Sequence, residues 1–182
     1  SADGSILAIG ASQNNGNGTR SGHVRVYKNI NDTWTQIGSD IDGESATDQL
    51  GESVSLSADG SILAIGASQN DGNGTDSGHV RVYKNINNTW TQIGSDIDGE
   101  SAGDRSGLSV SLSGDGSILA IGAPANNENG TESGHVRVYK NINSSSKFSS
   151  SNIGNELSFS FGDTWIKVGE DIDGEAANDQ SG

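Results

Sequence analysis

The sequence predicts an all-β protein built from β-propeller-type blades of four antiparallel strands, and three observations lead to this fold class. The same pattern of 56 residues occurs three times, with Asp3, Asp59 and Asp115 at corresponding positions, so one structural unit is repeated. Apolar residues fall in short blocks separated by Gly, Asn, Asp and Ser clusters, which is typical of strands and turns. A sheet of four short strands cannot cover its own faces, so neighbouring units must stack on it.

The first two strands of a unit are clearest in the second copy. Residues 53–57 alternate apolar side chains with serines, the pattern of a half-buried strand. Residues 58–60 have turn composition. Residues 61–67 are a nearly continuous apolar run with small residues, which predicts a strand buried on both faces.

The third and fourth strands follow a loop at residues 69–77 that is rich in Asn, Gly and Thr. Residues 78–84 alternate again, and residues 89–93 supply the fourth strand before an acidic connector at 95–104. His79, Arg81 and Tyr83 share one face of the third strand, and this stripe is predicted to pack between blades rather than to bind a ligand. One tryptophan per unit has the same predicted packing role: Trp34, Trp90 and Trp165.

We divide the chain into repeats at residues 1–52, 53–108 and 109–182, the last with a 19-residue insertion around 144–162. The first repeat is an incomplete blade, because it has no counterpart of the strand at residues 52–56. Three blades are too few to close a ring of the usual ~4–8. Two alternatives stay open: the chain belongs to a larger propeller or array, or copies of it complete each other by pairing strand edges.

Composition excludes several classes of partner and site. The net charge of -14 opposes binding to nucleic acid, because phosphate backbones would be repelled. The absence of cysteine excludes disulfides and thiolate metal sites. No apolar run approaches the ~20 residues of a membrane span, so direct membrane insertion is not expected.

Short glycine-containing motifs carry a family resemblance. Gly122-Ala123-Pro124 corresponds to Gly10-Ala11-Ser12 and Gly66-Ala67-Ser68 in the other copies. The segments 50–54 and 106–110 hold Leu-Gly and Ser-Gly at a second recurrent place. The chain thereby resembles the FG-GAP repeats of integrin-alpha-type β-propellers and of bacterial and algal surface proteins, with the Phe of the FG element replaced. The resemblance implies an extracellular or cell-surface propeller used in adhesion or recognition.

The resemblance also implies a calcium loop between the first two strands, but residues 57–61 are too short and too poor in carboxylates for the six to eight oxygens that Ca²⁺ prefers. The acidic connectors are a second candidate, because carboxylates on alternate residues before a glycine can converge on Ca²⁺. The alternative is that Asp and Gly only build turns and cap free amides. The candidate ligands are Asp40, Asp42, Glu44, Asp48, Asp96, Asp98, Glu100, Asp104, Asp171, Asp173, Glu175 and Asp179.

Acceptor sequons for N-glycosylation recur twice per copy, and both places are predicted to be loops. They make the protein a candidate glycoprotein, although Asn and Thr are also good turn residues. The candidate sites are Asn17, Asn31, Asn73, Asn87, Asn129 and Asn143.

The insertion interrupts the repetition and contains all three phenylalanines of the chain. Its alternation of apolar residues with serines predicts a hairpin with one apolar face and a turn near residues 152–155. This face either folds onto its own blade or contacts another molecule. The candidate contact residues are Phe148, Leu157, Phe159 and Phe161.

Nearly every reactive side chain occurs in three equivalent copies, whereas catalysis needs one asymmetric cluster of unlike groups. We therefore predict a non-catalytic surface module for adhesion, recognition or assembly, with a protein or glycan ligand. A self-assembling filament or coat subunit, whose partners are copies of itself, is the alternative. A propeller enzyme is a weaker alternative, because no nucleophile and base, phosphate loop or His cluster stands out.

Overall fold

The structure is a computed structural model that describes residues 1–148 and 157–182, and it gives side-chain positions for 1–142 and 162–182. The described residues form strands and no helices. The strands are β1 (Ile6–Ala11), β2 (His23–Ile30), β3 (Thr33–Gln36), β4 (Ile41–Asp42), β5 (Ser53–Leu56), β6 (Ile62–Ala67), β7 (His79–Ile86), β8 (Thr89–Gln92), β9 (Ile97–Asp98), β10 (Ser109–Leu112), β11 (Ile118–Ala123), β12 (His135–Phe148), β13 (Leu157–Lys167) and β14 (Ile172–Asp173).

These strands form three antiparallel sheets, one for each repeat, which confirms the predicted all-β, blade-type fold. The second sheet has the order β5-β6-β7-β8, and the third has β10-β11-β12-β13. The first sheet consists of β1-β2-β3 with no inner strand before β1. The repeat boundaries at 1–52, 53–108 and 109–182 stay a prediction.

The acidic connector contains a short strand that the sequence reading missed. In the second sheet β9 pairs with the start of β7, with Ile97 opposite Val80 and Asp98 opposite His79. Ile97 is only 7% exposed, so burial of its side chain holds the connector against the sheet. The second and third sheets therefore have four main strands, the first has three, and each has one additional two-residue strand at its outer edge.

Asparagine residues close the β2–β3 and β7–β8 hairpins. Asn31 and Asp32 have φ values of 50° and 62°, and Asn87 and Asn88 have 53° and 62°. Two successive residues with positive φ are the requirement of a two-residue type I′ turn, which Asn and Asp tolerate better than most residues.

The middle sheet is covered on both faces, as its continuous apolar strand predicts. Leu63 and Ile65 pack with Val24, Val26 and other residues of the first repeat. Ile62 and Ala64, which alternate with them along β6, belong to a second core shared with the third repeat. The hydrophobic core therefore lies between the sheets.

The tryptophans pack between units, as predicted, wherever a preceding unit is present. Trp90 donates a hydrogen bond from Nε1 to the carbonyl oxygen of Ile37 in the preceding repeat, at 3.2 Å. Its ring lies against Gly38, where a Cβ would meet Trp90 Cδ1 at 2.9 Å. Trp165 occupies the same position against Gly94. Trp34 has no preceding sheet beside it and is 46% exposed.

The insertion lengthens the β12–β13 hairpin, as predicted. Pairing continues to Phe148 opposite Leu157, with a register shift between Asn143 and Ser145. The predicted turn at 152–155 lies outside the described residues. The side chains of the four contact candidates, Phe148, Leu157, Phe159 and Phe161, also lie outside the part of the chain whose side chains are described.

Candidate functional site

The most distinctive polar feature is a cleft between each repeat and the next. One wall is the acidic connector of the preceding repeat, and the other is the Asn-rich loop of the following repeat, joined in the first cleft by His79 at the start of β7. The cleft between the first and second repeats has a volume of about 430 Å³ and includes Glu44, His79 and Asp96. The cleft between the second and third has about 360 Å³ and includes Glu100 and Glu128.

An arginine crosses each cleft and links the two walls. Arg81 pairs with Glu44 of the preceding repeat and, through Nε, with Asp96 Oδ2 of its own repeat at 3.2 Å. The Arg81 side chain is only 5% exposed and that of Glu44 is 54% exposed, so solvent is excluded from the arginine end of the pair alone. In the next cleft Arg137 Nη1 lies 3.1 Å from Glu100 Oε1. The ion pairs therefore belong to the contact between repeats.

The first repeat shows what this arginine does without a preceding connector. Arg25 is 44% exposed and turns to its own Asp40, with Nη2 at 2.8 Å and Nε at 3.0 Å from Oδ2. Hydrogen bonds from Arg25 and Gln36 lower the pKa of Asp40 to about 2. Because Arg81 keeps the equivalent contact with its own Asp96, the comparison indicates that a preceding repeat adds the glutamate pair and buries the arginine.

A buried histidine lies beside the arginine. His79 Nδ1 is 3.7 Å from Asp96 Oδ2 and 4.0 Å from Asp98 Oδ1. Burial lowers the pKa of His79 from its ordinary 6.5, and the attraction of Asp96, Asp98 and Asp48 opposes this shift only in part. The folded protein therefore favours the neutral imidazole.

Replacing His79 with glutamine is expected to flatten the dependence of stability on pH below 6.5. In this range the unfolded chain binds a proton that the folded protein resists, so the contribution of His79 is fully present above pH 6.5 and is lost as the pH falls. Urea unfolding of both proteins at about pH 7.5 and about pH 5.5 measures the effect. An unchanged pH dependence in His79→Gln would contradict this assignment.

The four carboxylates within one connector do not gather around one point. Asp48 Oδ2 accepts a hydrogen bond from the backbone N–H of Ser45 at 2.9 Å, and Asp104 Oδ2 accepts one from Ser101 at 3.0 Å. Asp179 caps the corresponding turn of the third repeat. These residues perform the turn-building role that was the alternative to calcium binding.

Instead, the structure brings together carboxylates from successive connectors. Among the described residues two clusters place one ligand atom per residue within 4.8 Å of one another: Glu44, His79 and Asp96, and then Glu100, Glu128, His135 and Asp171. Of the remaining calcium candidates, Asp42 and Asp173 lie opposite His23 and His135 in the strand register. Glu175 follows β14 and is exposed. Calcium binding by the connectors stays a prediction.

Three of the sequon asparagines hold the connectors in place. Asn73 donates from Nδ2 to the carbonyl oxygens of Gly99 at 2.8 Å and Glu100 at 3.0 Å. Asn17 and Asn129 make the equivalent bonds to Gly43 and Gly174. Glycan attachment at these nitrogens would compete with this bonding, whereas Asn31 and Asn87 are exposed in their turns.

Asn143 does not lie in a loop as predicted. It belongs to β12, because the insertion continues this strand past the place where the other repeats turn. Its side chain is outside the described positions, and glycosylation at all six sequons stays a prediction.

Sequence reasoning missed Glu128 and the roles of Arg81 and Arg137. Pairing between these arginines and the connector glutamates was predictable in principle, because one arginine and one connector glutamate recur together at the 56-residue spacing. Glu128 was detectable as a departure from repetition, since Gly16 and Gly72 occupy its place in the other copies.

The sequence model of the FG-GAP repeat matches residues 40–83 and 96–139. The chain contains two FG-GAP repeats. Each matched FG-GAP segment begins in a connector and ends in the long strand of the next sheet, so it contains both partners of one ion pair between repeats. FG-GAP repeats are found in extracellular proteins of the adhesion and recognition type. A search of the curated proteins found no match to this FG-GAP chain.

Within the described part of this FG-GAP chain, we find no helix long and apolar enough to cross a membrane.

Proposed function

We propose that this chain is a non-catalytic extracellular or cell-surface recognition module in which the stacked repeats form a scaffold and the hairpin of the third repeat contacts a protein or glycan. The FG-GAP family supports this proposal, because its members occur in adhesion and recognition proteins. The use of the ionisable groups also supports it. In every repeat the histidine Nδ1 lies 3.7 Å from the aspartate that precedes the short connector strand, and this repetition favours a structural role over a single reactive centre.

The observation that carries the proposal is the length of β12. It has 14 residues, whereas β2 and β7 have eight each, and it stays paired with β13 as far as Phe148 opposite Leu157. The added part is not needed for the sheet, because the first two repeats form the same hairpin with two-residue turns. An addition to one copy of a repeat is a common position for partner contacts.

The sequence itself supplies the matched variant. Deletion of residues 144–162 joins Asn143 to Asp163 and leaves Asn-Asp-Thr-Trp, which is identical to residues 31–34 of the first repeat. Because residues 31 and 32 form a tight turn there, the shortened hairpin is expected to close and the protein to fold.

We expect the full chain to bind a subset of spots on an array of purified glycans and extracellular proteins, and the deletion variant to lose this binding. Unchanged far-UV circular dichroism and unfolding midpoint would show that the scaffold is intact. Equal binding by the two proteins would contradict recognition through the hairpin. Binding by neither, together with self-association of both, would favour an assembly subunit.

Self-assembly is a second candidate function, and the two end sheets favour it. Leu7 and Ile9 of the first sheet are 43% and 47% exposed, although the corresponding Leu63 and Ile65 are fully buried against a preceding unit. At the opposite end Val168 and Ile172 are 46% and 60% exposed. A second copy stacked head to tail would cover both faces with the contacts used inside the chain. In that case Trp34→Ala would abolish concentration-dependent sedimentation, and the hairpin deletion would not.

A further inference from the structure

The histidine of the third repeat is buried without a hydrogen-bond partner. His135 is fully buried, and neither Nδ1 nor Nε2 has a hydrogen-bond partner among the described residues. The carboxylate of Asp171 lies beside it, with Oδ2 at 3.7 Å from Nδ1. Buried imidazole nitrogens are normally satisfied by a donor, an acceptor or a metal ion, so this ring indicates a missing ligand.

Three carboxylates surround the same point and come from three separate segments. Glu100 belongs to the connector of the second repeat, Glu128 to the loop before β12, and Asp171 to the segment before β14. One ligand atom from each of these residues and from His135 lies within 4.8 Å of every other. Two ligands of one tetrahedral zinc ion are roughly 3.3–3.4 Å apart, so small side-chain shifts would close the set around an ion.

Arginine and lysine side chains neutralise part of the negative charge of these three carboxylates, but not all of it. Arg137 pairs with Glu100, and Lys167 pairs with Asp171 through Oδ1, the oxygen that does not face His135. Glu128 forms no ion pair with the described part of the chain. A cation between the walls can therefore use Asp171 Oδ2 and Glu128 while Lys167 and Arg137 hold the outer oxygens, as partners of metal ligands commonly do.

The three repeats form a graded series. The first has only His23 beside Asp40, the second has Glu44, His79 and Asp96, and the third alone adds a fourth ligand. The difference is Glu128, which replaces Gly72 of the second repeat. The backbone is the same at both positions, because each N–H bonds the asparagine two residues earlier, at 2.8 Å in Gly72 and 2.9 Å in Glu128.

We propose that the cleft between the second and third repeats binds one divalent transition-metal ion of the zinc class through His135, Glu128, Asp171 and Glu100. An imidazole with carboxylates suits Zn²⁺ better than Ca²⁺, which prefers six to eight oxygens. Because Glu100 comes from one repeat and the other three ligands from the next, the ion clamps the hairpin-bearing repeat to its neighbour. Deletion of residues 144–162 removes none of these four ligands, so metal binding can be tested separately from recognition through the hairpin.

Isothermal titration of the full chain with ZnCl₂, together with metal analysis after dialysis, tests this proposal. We expect one Zn²⁺ per chain, at least tenfold weaker binding in Glu128→Gln, and near-complete loss in His135→Gln. His79→Gln is the matched control in the second repeat and should bind Zn²⁺ like the wild type. Titration with CaCl₂ should give much weaker binding.

A gain of function makes the test independent of folding defects. Gly72→Glu should supply the fourth ligand in the second repeat and raise the stoichiometry from one Zn²⁺ to two. Zn²⁺ should also raise the unfolding midpoint of the wild type but not of Glu128→Gln, whose side chain is exposed and whose fold should persist. The proposal is overturned if the wild type binds no Zn²⁺, or if the stoichiometry and affinity are unchanged by both Glu128→Gln and Gly72→Glu.

Discussion

Replacing Gly66 with alanine is expected to destabilise the protein severely, by about 3–5 kcal/mol. A Cβ at this position would lie 1.9 Å from the carbonyl oxygen of Gly107 and 2.4 Å from Ser53 Oγ. The carbonyl cannot retreat cheaply, because it accepts the hydrogen bond of Ser53 and belongs to the backbone that enters the next sheet. Urea unfolding followed by circular dichroism measures the change in the free energy of unfolding.

Gly114→Ala is the matched control for this prediction. Its Cβ would meet only Ala58 Cβ, at an ordinary distance of 3.6 Å, and alanine already stands at the corresponding positions 2 and 58. We expect a change within about 0.5 kcal/mol. Equal losses in the two variants would refute close backbone approach as the reason for Gly66.

Leu63→Ala is expected to cost about 2–5 kcal/mol, whereas Leu7→Ala at the corresponding position of the first repeat should cost less than about 1 kcal/mol. The two leucines occupy the same place in the same type of strand. Leu63 is 0% exposed between two sheets, and Leu7 is 43% exposed. Comparison of the two variants therefore separates the contribution of sheet stacking to the free energy of unfolding from that of strand formation.

Both variants can be compared by urea unfolding at two protein concentrations. If Leu7→Ala costs as much as Leu63→Ala, the outer face of the first sheet is covered in solution. A concentration-dependent unfolding midpoint would then identify the cover as a second copy. A cost that is equal and independent of concentration would contradict the exposed first sheet.

Much of the fold could be predicted because its determinants are local. The alternation around Val54, the apolar run from Ile62 and the Asn-Asn turn at residues 87 and 88 each depend on a few neighbouring residues. The short strand at Ile97 was missed, because two residues carry no periodicity and this strand forms only when the side chain enters a core between sheets.

The contacts made in the cleft were harder to predict from the sequence. Carboxylates that follow one another in a connector were expected to converge, but Asp104 caps its own turn and accepts a hydrogen bond from Asn126 Nδ2 of the next repeat, while Glu100 pairs with Arg137. Which side chain of the next repeat each connector carboxylate meets depends on the stacking geometry, which the local pattern does not specify. Glu128 could be noticed as an exception, but its partners could not be named.

The limits of the matched segments bear on how such an array can grow. Residues 40–83 run from the outer edge of one sheet into the third strand of the next, so the copied stretch contains the joint together with most of a sheet. A tandem duplication of a full 56-residue unit that begins in the connector, such as residues 40–95, delivers Glu44 and Arg81 in one piece, already separated by the right length of chain. Each added copy can therefore dock on its predecessor without compensating mutations in either, and gene duplication alone lengthens the array.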